Sequence, residues 1–234
     1  MMSMLIIPQH YLKLVVALIV LGSPSFIRLA VAANQCFAAN DGGRDGILYQ
    51  AVRDYVSQDC ANTKNCAVGQ TYGWPMNSWC VGKVTDMSYL FYDMDTFNED
   101  ISGWDTSSVT SMWAMFLLAK SFNGDLSSWN TSSVTDMGDM FGGASSFNSD
   151  LSLWNTASVT DMRWMFDGAT SFNQNLCAWG DKFPYDNADY IFAYSGCTYQ
   201  DVPQEDQKGP FCASDCKGYK PSPNLRLRSS GAVY

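Results

Sequence analysis

From Val84 to Trp179 the same order of apolar and polar positions returns every 25 residues, four times without an insertion. The copies start at Val84, Val109, Val134 and Val159, and each carries Val, Thr, Met, Phe, Phe-Asn and Trp at the same offsets. A period of this length marks an array of stacked units rather than one globule. In the third copy Val134, Met137, Phe141 and Ala144 fall at i, i+3, i+7 and i+10. That spacing predicts one face of a short helix or a 3₁₀ and α mixture. Thr135 or Asp136 can cap it by accepting an orphan N–H, and Gly142-Gly143 limits its length. The chain then turns at Ser145-Ser146 and buries Phe147. Asp150 to Trp154 follows as a short mixed segment suited to one strand of a parallel stack. Asn155-Thr156-Ala157-Ser158 has the side-chain-to-backbone chemistry of a turn.

One such unit cannot bury its own apolar face, so its core exists only between neighbours. Stacking predicts a column of Phe97, Phe122, Phe147 and Phe172, a second of Trp104, Trp129, Trp154 and Trp179, and a third of Met87, Met112, Met137 and Met162. The Trp column has an alternative reading, because counting from Leu126 puts Trp129 at an odd offset. Either a bulge turns it inward, or a ladder of indoles faces solvent and stacks on sugar rings. Recurrence in every copy favours packing. Asn98, Asn123, Asn148 and Asn173 are expected to satisfy loop backbone groups along the stack. Together these elements predict an α/β repeat solenoid of short strands and short helical turns.

The ends of the array must be hidden. Tyr72, Met76 and Trp79 stand 25 residues before Phe97, Ile101 and Trp104, so a half repeat precedes Val84. Leu48, Ala51, Val52, Tyr55 and Val56 predict an amphipathic helix beginning near Asp45. After Trp179 the pattern slips by one residue and returns at Ile191-Phe192 as a degenerate fifth copy. The resulting organisation is a signal peptide over 1–33, an N-terminal cap with helix and half repeat over 34–83, and four repeats over 84–181. A degenerate repeat and Cys-rich cap follow over 182–216, then a disordered tail over 217–234.

The signal peptide is read from Lys13, the apolar run Leu14 to Leu21, and Ala30-Val31-Ala32 as a small-x-small cleavage pattern near Ala32 or Ala33. The run is shorter than the roughly 20 residues a bilayer span needs. Cleavage removes Lys13 and Arg28 but no acid, so the chain, at −9 overall, becomes more negative. Nucleic acid and anionic membranes are then poor partners. The single His, His10, is also removed. Without it there is no Ser-His-Asp or Cys-His pair and no His-ligated zinc. The tail to Tyr234 offers no transmembrane stretch and no lipid-anchor signal.

All eight Cys remain, four before the repeats (Cys36, Cys60, Cys66, Cys80) and four at or beyond their end (Cys177, Cys197, Cys212, Cys216). An even count in a secreted chain reads as disulfides. Stacked strands at roughly 4.8 Å put the two sets about 20 Å apart, whereas bridged Cα atoms lie within about 7 Å. Pairing is therefore expected inside each set, with three patterns open in each.

The pattern V-T-D-M-x-x-M-F-x-x-A-x-x-F-N-x-D-L-S-x-W-N-T-S-S resembles the BspA-like leucine-rich-repeat family, known from bacterial surface lipoproteins including those of mycoplasmas and from secreted microalgal proteins. The match runs from residue 72 to 196. It implies a curved, leucine-rich-repeat-like solenoid with disulfide-rich caps, used in adhesion or surface recognition, and brings no catalytic residue, metal or cofactor. The expected partner is an extracellular protein or glycan. Its contact surface is expected where the copies differ: Tyr89, Tyr92, Trp113, Asp139, Arg163 and Trp164, with Leu117-Leu118 beside them. A carbohydrate hydrolase is the competing reading and would draw on the Asp100, Asp125 and Asp150 column. Nothing marks one of these for an apolar pocket. Calcium on the same column would call for a G-G-x-G-x-D signature that is lacking, so turn hydrogen bonding is the simpler account. A spacer with no ligand is the third reading. Asn130-Thr131-Ser132 is a glycosylation sequon at an expected turn.

Overall fold

The computed structural model describes residues 35–63 and 66–220, all within the unit Val31–Tyr234. The expected signal peptide and most of the expected disordered tail lie outside the described residues. Two helices precede the repeats, α1 (Ile47–Ser57) and α2 (Ala67–Tyr72), followed by a 3₁₀ turn at Met76–Ser78. α1 buries Leu48, Ala51, Val52 and Tyr55 as its apolar spacing predicts. Val56 is an exception. It lies at the edge of that stripe and is exposed.

In the repeats the apolar spacing builds turns instead of a helix. In the first copy Leu90 N–H donates to Met87 C=O (3.3 Å), Tyr92 to Tyr89 (3.0 Å) and Met94 to Phe91 (3.3 Å). Tyr89 and Asp93 sit in the left-handed region at φ 61° and 58°. The same pair of positions is left-handed in later copies, at Ala114 and Leu118, Asp139 and Gly143, Trp164 and Gly168. A left-handed residue every fourth position ends an α-helix before it can propagate. The intervening turns still return the chain every three or four residues, so Val84, Met87, Phe91 and Met94 all face inward. The helical periodicity of burial is thus real, and its backbone cause is different.

This conformation frees every second N–H to point along the stack. Met87, Tyr89, Phe91 and Asp93 donate to the carbonyls of Ser111, Trp113, Met115 and Leu117 at 2.8–3.0 Å. The second copy repeats the set onto Asp136, Gly138, Met140 and Gly142, and the third onto Asp161, Arg163, Met165 and Asp167. The fourth donates to Asn187, Asp189, Ile191 and Ala193 in the degenerate copy. Parallel bridges join Asp86 to Ser111, Ser111 to Asp136, and Asp136 to Asp161. Strand-like pairing therefore falls at the start of each copy. The segment Asp150 to Trp154, expected as a strand, is a turn. Asp150 Oδ1 accepts the Ser152 N–H (2.8 Å), and Trp154 N–H donates to Leu151 C=O (3.0 Å). Local carboxylate-to-backbone bonding competes successfully with a ladder there.

Side chains bond in register as well. Asn98 Oδ1 accepts the Asn123 N–H, Asn123 that of Asn148, and Asn148 that of Asn173, at 2.8–2.9 Å. Buried Thr106 and Thr131 reach forward to the carbonyls of Asn130 and Asn155. The Phe97, Phe122, Phe147 and Phe172 rings stack at 5.8–5.9 Å, each also against a partner in its own copy at 3.9–4.2 Å. Met87, Met112, Met137 and Met162 are fully buried. Trp104, Trp129, Trp154 and Trp179 are 1–4% exposed. Each indole N–H is satisfied by a carbonyl of the preceding unit: Met76, Ile101, Leu126 and Leu151. No solvent ladder forms.

The caps seal the ends. Gly43 N–H and the Arg53 guanidinium take the Asp86 and Tyr92 carbonyls of the first copy. At the other end Phe192 stacks on Phe166 at 5.8 Å. The disulfides close inside their own sets, Cys36–Cys80 and Cys60–Cys66 before the repeats, Cys177–Cys216 and Cys197–Cys212 after them.

Candidate functional site

The turns that carry the one-way hydrogen bonds have an inner side of apolar residues, with the Val, Met and Phe of Val84, Met87 and Phe91 kept in every copy, and an outer side where the copies differ more widely. The positions singled out by that variation come together there. Tyr89 meets Tyr92 at 5.6 Å and Trp113 at 4.7 Å, both edge-on. The Trp113 ring leans over the third copy, with its Cδ1 3.1 Å from where a Cβ on Gly138 would stand. The Asp139 carboxyl lies beside the ring, and the indole N–H favours its ionised form. In the fourth copy the Arg163 guanidinium lies 5.7 Å from the Trp164 ring centroid while paired with Asp161. Trp113 and Trp164 are each 39% exposed despite these contacts.

Three further residues belong to this strip. Arg44, from the N-terminal cap, sits 5.1 Å from the Tyr89 ring and 5.9 Å from Tyr92. Tyr190 lies parallel to Trp164 at 6.3 Å, and with Tyr194 it is among the most exposed large residues described, at 61% and 79%. The tyrosines were legible in principle. Carrying the one-residue slip through the degenerate copy sets Tyr190 at the Trp164 offset and Tyr194 at that of Gly168. Arg44 comes from outside the repeat and has no such signal.

Leu117 and Leu118 do something else. Their methyl groups fill the space that Cβ atoms on Gly142 and Gly143 would take, each at 2.8 Å. Part of the variation between copies is therefore complementarity between neighbours, a large pair fitted over a small one.

Carboxylates line the strip. Burial holds Asp139 above the ordinary carboxylate range, and the charges of Asp167, Asp161 and Asp136 push the same way against the Trp113 indole N–H. Asp136 is raised by burial, with Asp161 and Asp86 adding to it. Burial alone raises Asp167. Burial also acts on Asp161, but the side-chain and backbone hydrogen bonds of Arg163 outweigh it and leave that group lowered.

Asp86, Asp136 and Asp161 each accept the N–H two residues on, at 2.8–3.0 Å, and the other acidic column does the same. Asp100, Asp125 and Asp150 each accept the N–H two residues on, at 2.8–2.9 Å, and Asn175 does the same for Cys177 at 3.0 Å. The Ser127 backbone hydrogen bond holds Asp125 below the ordinary range, the opposite of what a general acid needs. Asn130 is exposed, with its Oδ1 accepting the Ser132 N–H at 3.1 Å. Among the described residues no group of three or more acidic, His or Cys side chains is arranged to hold a metal ion. No described helix is long and apolar enough to cross a membrane.

A family model described as "Mycoplasma protein of unknown function, DUF285" matches residues 61–195, more than half of the chain. No curated protein and no solved structure matches it.

Proposed function

The chain belongs to the DUF285 family, and from that premise we propose that it is a secreted, BspA-like solenoid that recognises an extracellular protein or glycan without chemical turnover. The observation that carries this reading is the division of labour within each copy. Residues identical in every copy fill the core or satisfy the backbone, while exposed aromatics and half-buried carboxylates gather where the copies differ. Exposed aromatic surface on a folded protein marks contact sites more often than chance. Four disulfides, typical of an oxidising compartment, support secretion. The turn-bound Asp column supports a non-catalytic role.

The test is retention of the labelled protein on the outside of the cells that secrete it. Trp113→Ala with Trp164→Asn should abolish retention; Asn is chosen because it tolerates the left-handed backbone at Trp164 (φ 56°). Leu153→Ser, which alters an exposed apolar residue at an Asx-turn position, should leave retention unchanged. Equal retention of all three proteins would defeat the assignment of the surface, and turnover of a glycan by the wild type would defeat the non-catalytic reading.

A further inference from the structure

We infer that the strip takes a cationic polypeptide segment, an extended stretch whose Arg or Lys side chains alternate between the aromatic faces and the carboxylates. This rests on the strip being the recognition surface. Two observations point to positive charge in the ligand. First, the chain's own guanidinium groups already occupy part of the strip in the way proposed: Arg44 over Tyr89 and Tyr92, and Arg163 over Trp164 while paired with Asp161. Aromatic faces attract cations through the ring quadrupole. The Trp113, Tyr190 and Tyr194 side chains have no cation against them among the described residues.

Second, the charge is one-sided. Asp86, Asp136, Asp139, Asp161, Asp167 and Asp189 stand along these turns, and the described cations beside the strip are Arg44, Arg163 and, at the Tyr92 carbonyl, Arg53. Burial and mutual repulsion disfavour ionisation of Asp136 and Asp139. A ligand cation would relieve that repulsion, whereas an anionic glycan or phosphate would worsen it. From the first copy to the degenerate fifth is four spacings, about 19 Å at roughly 4.8 Å each. An extended segment of about six residues spans that distance at roughly 3.3 Å per residue.

The experiment measures fluorescence anisotropy of a labelled seven-residue peptide alternating Arg and Ser, against the same peptide with citrulline in place of Arg and against neutral oligosaccharides. The arginine peptide should bind, weakening as salt rises, and the citrulline peptide should not. Asp139→Asn and Trp113→Ala should each weaken binding about two- to fivefold, the scale of an exposed ion pair or cation–π contact. Equal binding of the citrulline peptide, or arginine-peptide binding untouched by both variants, overturns the inference. Binding of a neutral oligosaccharide with loss in Trp113→Ala also overturns it, while leaving the strip as the recognition surface. Failure of the recognition reading itself shows separately, as cell retention indifferent to the strip.

Discussion

Replacing Trp129 with Phe tests whether the invariant indoles hold adjacent copies together. Trp129 is 4% exposed, and its Nε1 donates to the Ile101 carbonyl at 3.2 Å, a bond that crosses from one copy to the one before. Phe keeps an aromatic ring but removes the donor. The Ile101 carbonyl keeps the Trp104 N–H (3.1 Å), so the loss is one net hydrogen bond, about 0.5–1.5 kcal/mol. The smaller ring also gives up on the order of 40 Å² of buried apolar surface, about 1 kcal/mol at 25 cal/mol/Å². The sum, about 1.5–2.5 kcal/mol, is a substantial part of the total stability of an ordinary domain. Urea unfolding of the disulfide-intact protein measures it as a fall in the midpoint at unchanged slope. The control is Trp113→Phe at an indole that is 39% exposed, where a surface change is worth within about 0.5 kcal/mol. A Trp129→Phe variant as stable as the control would mean that the indole column does not bind copy to copy.

Three other outcomes follow from the same geometry. Cys36–Cys80 closes 44 residues and Cys60–Cys66 only 6, so by loop entropy removing the first bridge with paired Ser substitutions should cost about 4 kcal/mol and the second about 2, read by urea unfolding; the reverse order would count against the loop account. Asp139→Asn should stabilise the protein near neutral pH. The folded-state pKa of Asp139 lies above its unfolded value, so its contribution is greatest below the unfolded carboxylate pKa and is lost as pH rises through the folded one; the gain should vanish below about pH 3.9, and thermal melts across pH check both limbs. Gly143→Ala places a Cβ at φ 63° and 2.8 Å from Leu118 Cδ2, and should cost about 1–2 kcal/mol for the backbone alone; adding Leu118→Ala should recover the overlap and leave the backbone cost.

The period, the inward columns and the capped ends could be read from the chain because stacking forces the same residue to the same place in every copy. Phe122 or Met137 has one environment, repeated, and the sequence repeats with it. The local backbone was harder to read. Val134, Met137 and Phe141 show helical spacing, yet Asp139 and Gly143 are left-handed, and a period near 3.6 does not distinguish a helix from turns that return at the same rate. The misplaced strand at Asp150 to Trp154 has a related cause. Mixed polarity fits a strand edge, but an Asp followed two residues later by Ser also makes an Asx turn, and local bonding prevails. At the candidate site the variable offsets led to Tyr89, Trp113 and Trp164, since residues that packing does not dictate are free to differ. Variation alone could not separate Leu117 and Leu118, which fit over Gly142 and Gly143, from Trp113, which leaves much of its ring in solvent. Arg44 reaches the strip from the cap, a contact that exists only in three dimensions.

On the proposed reading the 25-residue copies are equivalent layers, each completing the core of the next. In-frame excision of residues 134–158 tests it most directly, since the four donors of the second copy would then meet the four acceptors of the fourth. Equivalent layers should leave a folded protein with a single cooperative urea transition and a slope lower by about one-seventh, in proportion to the surface removed. Loss of cooperative unfolding, or a transition of unchanged slope, would contradict it.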